Sequence, residues 1–205
     1  MFNAGTAVVR LQTENGRQHI ISTGESAGVV NALYKVHDRF EAYSDPRTFC
    51  SLEVQKHTEE GSRKREITFH LDYTRNKSIL DEKNLKTGEQ RHEENDIPGC
   101  VTDLVTGFHY LASLPLETGM VHDFPIGDGG KSAVVRARVA AREKIKVPAG
   151  TFDTIRIEAE ALTGNLQGKG NVAVWLTDDA NRTPVQMRSK LTWGTLMFRL
   201  QRLEK

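Results

Sequence analysis

No stretch of this 205-residue chain approaches the ~18 uncharged apolar residues that a membrane-spanning helix needs. Cysteine is almost missing: there are two, Cys50 and Cys100, and their spacing fits no zinc pattern. That excludes a metal-stapled fold and leaves either two buried thiols or one disulfide. Net charge is nearly absent as well, because 28 Lys and Arg oppose 27 Asp and Glu and leave +1. Nucleic acid is therefore not indicated as a partner, nor is an anionic membrane surface. The opening Met1-Phe2-Asn3-Ala4-Gly5 shows no charged start, apolar core and small-residue cleavage site. The chain is thus either cytosolic or begins after a targeting segment. No repeat of solenoid or propeller length occurs.

Motifs that name a reaction are missing too. Ser51 stands outside any Gly-x-Ser-x-Gly elbow. Gly127-x-Gly129-Gly130 lacks the Lys-Ser/Thr and the helix of a phosphate loop. None of the seven histidines has His-Glu-x-x-His or His-x-His spacing. No catalytic residue, metal ligand or cofactor is expected.

What the chain does contain is alternation. From Lys131 to Thr163 two period-two segments flank the turn Val147-Pro148-Ala149-Gly150-Thr151-Phe152. Val135, Ala137, Val139, Ala141, Ile145 and Val147 share one parity, with Glu143 their lone charge. Arg136, Arg138, Arg142, Lys144 and Lys146 share the other. This predicts a long hairpin with one wet and one dry face, with Arg142 beside Glu158. Similar patterns recur over Ala4–Gln12, Arg17–Thr23, Leu33–Tyr43, Thr48–His57, Lys64–Leu71, Lys77–Asp81, Met120–Ile126, Asn171–Thr177, Thr183–Thr192 and a final strand through Phe198. Glu82–Asp96 is charged and reads as an exposed mobile loop. One amphipathic helix is predicted at about 100–112, capped by Thr102 or Asp103 and ended by Pro115. The expected fold is all-β: a single domain over 1–205, with about ten to twelve strands in a strongly curved antiparallel sheet or open β-barrel covered by that helix.

The candidate sites are few. Phe108, His109, Trp175, Trp193 and Phe198 are the side chains expected to line a cavity for a lipid-like ligand. Ordinary core packing is the competing reading for the tryptophans and Phe198. The basic stripe reads as a solvated face rather than an anion site. Asp178 and Asp179, with Asp103 or Asp128, offer a carboxylate pair or a metal site, although Asp-Asp-Ala-Asn between two strands is also ordinary turn chemistry.

Five phrases carry a resemblance. They are Leu33-Tyr34-Lys35-Val36-His37-Asp38, Pro98-Gly99-Cys100-Val101-Thr102-Asp103, Tyr110-Leu111-Ala112-Ser113-Leu114-Pro115-Leu116, Glu143 to Thr154 around the Pro-Ala-Gly turn, and Trp175 to Val185 around Asp178-Asp179. In order and spacing they resemble a bacterial family of exported proteins, the domain of unknown function 3108. The resemblance implies a periplasmic or secreted setting and a Cys50–Cys100 disulfide suited to an oxidising compartment. It also implies a signal peptide and a further strand ahead of Asn3, so the chain is read as shortened at its N-terminus. It supplies no catalytic residues. Three functions follow as expectations. The first is a non-enzymatic envelope protein binding a lipid-like ligand or a partner protein. The second is a hydrolase built on Asp178 and Asp179. The third is an assembly module pairing through its sheet edges.

Overall fold

The computed structural model describes residues 3–164, 171–191 and 194–204. The described residues form thirteen strands and two helices in the order β1 (Gly5–Glu14), β2 (Arg17–Ser26), α1 (Gly28–Leu33), β3 (Val36–Ser44), β4 (Ser51–Glu60), β5 (Arg63–Asp72), β6 (Lys77–Asn84), β7 (Gln90–Asp96), α2 (Leu104–Ser113), β8 (Val121–Gly127), β9 (Ser132–Val147), β10 (Gly150–Ala161), β11 (Asn171–Thr177), β12 (Pro184–Leu191) and β13 (Gly194–Arg199). All pairing is antiparallel between neighbours in sequence. It gives a seven-stranded sheet β1 to β7 and a six-stranded sheet β13 to β8, neither closed. The fold is all-β, as the alternation requires. The chain divides into two compact units, Met1–Gly107 with Gly127–Ser132, and Phe108–Ile126 with Ala133–Lys205.

In the first unit the core is a row across the sheet. Ile20, Ala42, Val54, Phe69 and Leu80 stand opposite one another through β2 to β6. Each is buried, because one parity of every strand faces the same side. Ile97 and Val101 close over this cluster. So does the turn at Gly129, where a Cβ would lie 2.6 Å from the Phe69 ring. Glycine is required there by close approach and by a φ of +95°. The Gly129 carbonyl accepts from Ser78 Oγ at 2.8 Å, which fixes the turn.

The stretch expected to be a mobile loop, Glu82–Asp96, is corrected: it completes β6 and supplies β7, with the turn Leu85–Glu89 between them. Its charges hid the strand, because β7 is held by ladder hydrogen bonds and ion pairs rather than by a buried side. The helix also starts later than expected. Asp103 Oδ1 accepts the backbone N–H groups of Val105 and Thr106, so Asp103 is the cap and Cys100–Thr102 lie before it.

In the second unit Leu111 of α2 packs with Phe124, Val139, Ile155, Ile157, Val174 and Leu176, so the helix covers one face of the six-stranded sheet. The long hairpin departs from strict alternation. Ile157 pairs with Val139 while Arg156 pairs with Ala141, which leaves Ala140 as an extra residue in β9. A bulge reverses which parity faces which side. Ala137 and Val139 therefore join the helix-covered core, whereas Ile145 packs on the opposite face with Trp175 and Phe152.

Candidate functional site

The bulge decides the fate of the basic stripe. Its five cations do not share a face: Arg136 and Arg138 precede Ala140, and Arg142, Lys144 and Lys146 follow it. Glu158 stands opposite Arg138, not Arg142. Arg136 makes a two-pronged contact with Asp123, 2.8 and 2.7 Å, and Lys144 pairs with Asp153. Arg142 reaches Asp178 Oδ2 at 2.8 Å. Glu143, the lone charge on the apolar parity, accepts the Trp175 indole N–H at 2.7 Å. The ion pairs are surface contacts of small worth, and no continuous anion-binding strip exists.

Asp178 and Asp179 do not form a catalytic pair. Burial pushes the Asp178 carboxyl up, but the hydrogen bonds and charges of Arg142 and Arg182 outweigh it and hold it below the ordinary carboxylate range. Asp179 accepts Thr177 Oγ1 and the backbone N–H groups of Asn181 and Arg182, which also holds it low. The Asp178 carboxylate is occupied by two arginines and the Asp179 carboxylate by the turn it builds, and neither is poised as an acid or base.

The five residues expected at a ligand site are not brought together. Phe108 packs against the helix-covered core. Phe198, on the edge strand β13, pairs with Met187, which pairs with Val174, so it belongs to that same face and is partly exposed. Trp175 lies on the other face, buried with Ala173 and Val185 and overlain by the Arg188 guanidinium at 5.5 Å. His109 is half-buried on α2. Trp193 lies outside the described residues. Phe108 and Trp175 therefore stand on opposite faces of the six-stranded sheet.

Two depressions lie in the first unit. The more spacious is an open depression of about 450 Å³, lined by Leu52, Tyr73, Asn76, Thr48, Gly99 and the disulfide. Cys50 and Cys100 are joined, with Cα atoms 5.1 Å apart. Behind them is a buried polar knot. Ser51 Oγ donates to Asp103 Oδ2 at 2.7 Å and accepts the Asp103 N–H at 2.7 Å. Thr106 Oγ1 donates to the same carboxylate oxygen at 2.5 Å. Tyr73 Oη donates to the Ser51 carbonyl, and burial pushes its phenol up to about 12. Every group is satisfied, so the knot holds structure and offers no free nucleophile.

One group invisible to motif reading is Lys56, at the centre of the seven-stranded sheet. Its ammonium sits 5.0 Å from the Phe69 ring centroid and 5.9 Å from that of Phe40. Burial pushes it below the ordinary lysine value, against the opposing pull of Asp128 and Asp103. Both of those carboxylates are engaged with backbone N–H groups. Alternation would have flagged it: Lys56 interrupts the parity that carries Leu52 and Val54. Among the described residues no cluster of three or more His, Cys, Asp and Glu is placed to hold a metal. Among the same residues no helix is long and apolar enough to cross a membrane.

The model of the family described as "Protein of unknown function (DUF3108)" matches residues 1–201. The chain belongs to this family. No curated protein matches it. Among solved structures this DUF3108 chain is similar to a beta-barrel-like protein of another domain of unknown function, DUF1849, from Brucella abortus. The TM-score is 0.68 at 6% identity, covering 98% of this chain and 87% of that one. At that identity the likeness carries the fold alone. The disulfide is consistent with an oxidising compartment.

Proposed function

We propose that this DUF3108 protein is a periplasmic or secreted, non-enzymatic binding protein that takes a partner polypeptide as an added strand on β1. One observation carries this reading: among the described residues, β1 is the sheet edge with the longest span free of proline, bulge and dense charge. β7 is studded with Arg91, His92, Glu93, Glu94 and Asp96; β8 contains Pro125; β13 spans six residues. These are the devices by which proteins protect edges. β1 runs for ten residues with no proline, lysine or bulge, and exposes Val8, Val9 and Leu11. Strand addition to such an edge supplies a ladder of main-chain hydrogen bonds with little demand on shape. The disulfide supports an extracytoplasmic setting. The placement of Phe108 and Trp175 on opposite faces of the sheet tells against a lipid site formed by both.

The test is a photo-crosslinking amino acid in place of Val9, activated in the native host, beside one in place of Glu94 as control. Adducts formed from position 9 and not from 94 support the reading. No adduct at position 9, with a stoichiometric lipid retained by the purified protein in native mass spectrometry, would overturn it in favour of a lipid carrier.

A further inference from the structure

We infer that the Cys50–Cys100 bridge is a reversible redox site, opened in the folded protein by a dithiol that enters the open depression and attacks the sulfur of Cys100. This site is separate from β1 and from strand addition. Access to the two cysteines is unequal: Cys50 is 9% exposed and counts as buried, whereas Cys100 is exposed. Both line the depression of about 450 Å³, together with Thr48, Leu52, Tyr73 and Gly99. A Cβ on Gly99 would meet nothing within 4 Å, so the chain beside Cys100 leaves the approach open. Thiol–disulfide exchange requires a thiolate to reach one sulfur of the bridge, and exposed bridges are the ones that exchange readily.

Both halves of the bridge are held in place without it. On the Cys50 side the Asp45 N–H donates to the Cys50 carbonyl at 3.0 Å, and Asp45 Oδ1 accepts the N–H groups of Arg47 and Thr48. One residue on, the Ser51 N–H donates to the Val101 carbonyl at 2.9 Å, and Ser51 Oγ bonds Asp103. On the Cys100 side the Ile97 N–H donates to the Asn76 carbonyl at 3.0 Å, and Ile97 and Val101 are both buried. Only the arc Pro98-Gly99-Cys100 lies between those two anchors. Breaking the bond therefore frees a short arc and leaves the sheet intact. The two sulfurs stay neighbours, so closure is intramolecular. Atoms and electrons balance in two steps. One thiolate of the dithiol bonds to Cys100 Sγ; the bond between the cysteines breaks, and its electron pair leaves on Cys50 Sγ, which takes a proton. The second thiol of the dithiol then loses its proton and attacks the dithiol's own sulfur in the mixed disulfide. That expels Cys100 as a thiolate, which is protonated in turn. The bridge gains two electrons and two protons, and the dithiol becomes a disulfide.

The experiment is reduction of the folded, full chain by dithiothreitol, followed by quenching, alkylation and mass analysis over time. The expected rate rises in proportion to dithiothreitol and does not track the unfolding equilibrium when low urea is added. A rate that levels off at the rate of global unfolding overturns the inference. Thr48→Trp, at an exposed position lining the depression, should slow reduction about tenfold by blocking access while the urea midpoint stays in place. An unchanged rate removes the depression as the route. Glutathione, a monothiol, reports the sulfur attacked: after an early acid quench, peptide mapping should place it on Cys100, and an adduct on Cys50 overturns that assignment. After full reduction, amide spectra should keep the dispersion of a folded β protein and change only around residues 45–51 and 97–103. Collapse of the spectrum would show a bridge that cannot open in the folded state.

Discussion

Ser51 and Asp103, 52 residues apart, are locked by two reciprocal hydrogen bonds of 2.7 Å, one through each other's side chain and one through the Asp103 backbone N–H. The pair joins the first residue of β4 to the cap of α2. It sits beside the disulfide in sequence and in space, since Cys50 precedes Ser51 and Cys100 lies three residues before Asp103. The same carboxylate caps the helix and receives Thr106. One side chain therefore decides where the helix begins and where its preceding segment is anchored.

Asp103→Ala should be among the more damaging single changes. It removes a helix cap and leaves the buried Ser51 and Thr106 hydroxyls without an acceptor. The expected loss is about 2–4 kcal/mol, read as a lower midpoint in urea denaturation. Asp103→Asn, which keeps one acceptor oxygen, should lose less.

The disulfide closes a loop with a sequence separation of 50. In the chain-entropy model that is worth roughly 4 kcal/mol. Reduction, or replacement of Cys50 and Cys100 by serine, should lower the thermal midpoint markedly. Mass analysis without reductant should show the parent two hydrogens lighter than the reduced chain. A midpoint unmoved by reduction would show that the bridge contributes nothing to stability.

Lys56 should make stability depend on alkaline pH. The unfolded chain holds this proton up to the ordinary lysine value, whereas the folded chain releases it earlier because burial disfavours the ammonium. Between those two values the unfolded state binds more protons, so stability rises as pH rises. Lys56→Met should remove that rise and raise stability at neutral pH by about 1 kcal/mol, since it replaces a desolvated charge with an apolar side chain of similar volume. Denaturation midpoints of both proteins from neutral to alkaline pH supply the check.

Gly129→Ala should destabilise by about 2–4 kcal/mol, through a φ that alanine adopts poorly and through overlap with Phe69 and Leu80. Gly16→Ala, whose added carbon meets nothing within 4 Å, isolates the backbone share of that cost. Equal losses at the two sites would show that the close approach to Phe69 is not what constrains position 129.

Much of this protein is legible in its sequence, for identifiable reasons. Period-two alternation reports directly on a half-buried strand, and the all-β class and the hairpin connections rest on it, while the amphipathic helix is read from apolar residues at three- and four-residue steps. The five family phrases carried membership. β7 escaped because an exposed edge strand buries neither parity, which leaves a charged strand and a charged loop looking alike. Trp175 and Phe108 stand on opposite sides because Trp175 alternates with Val174 and Leu176, and the basic stripe is divided by one residue. Ala140 is unremarkable as a letter, yet as an extra residue in β9 it reverses the two faces of the hairpin, scatters the basic stripe and puts Ile145 with Trp175.

The sequence by itself thus determined the fold class, the hairpin pairing of most neighbours, the family and the presence of the helix, because each is local or set by periodicity. Only the tertiary structure decided which side chains meet. It joined Cys50 to Cys100, enclosed Asp103, paired Asp178 with two arginines, set Asp179 to building a turn and lodged Lys56 beside two aromatic rings. Those outcomes depend on register and on which edge is paired, quantities that a one-residue bulge changes and that no local pattern records.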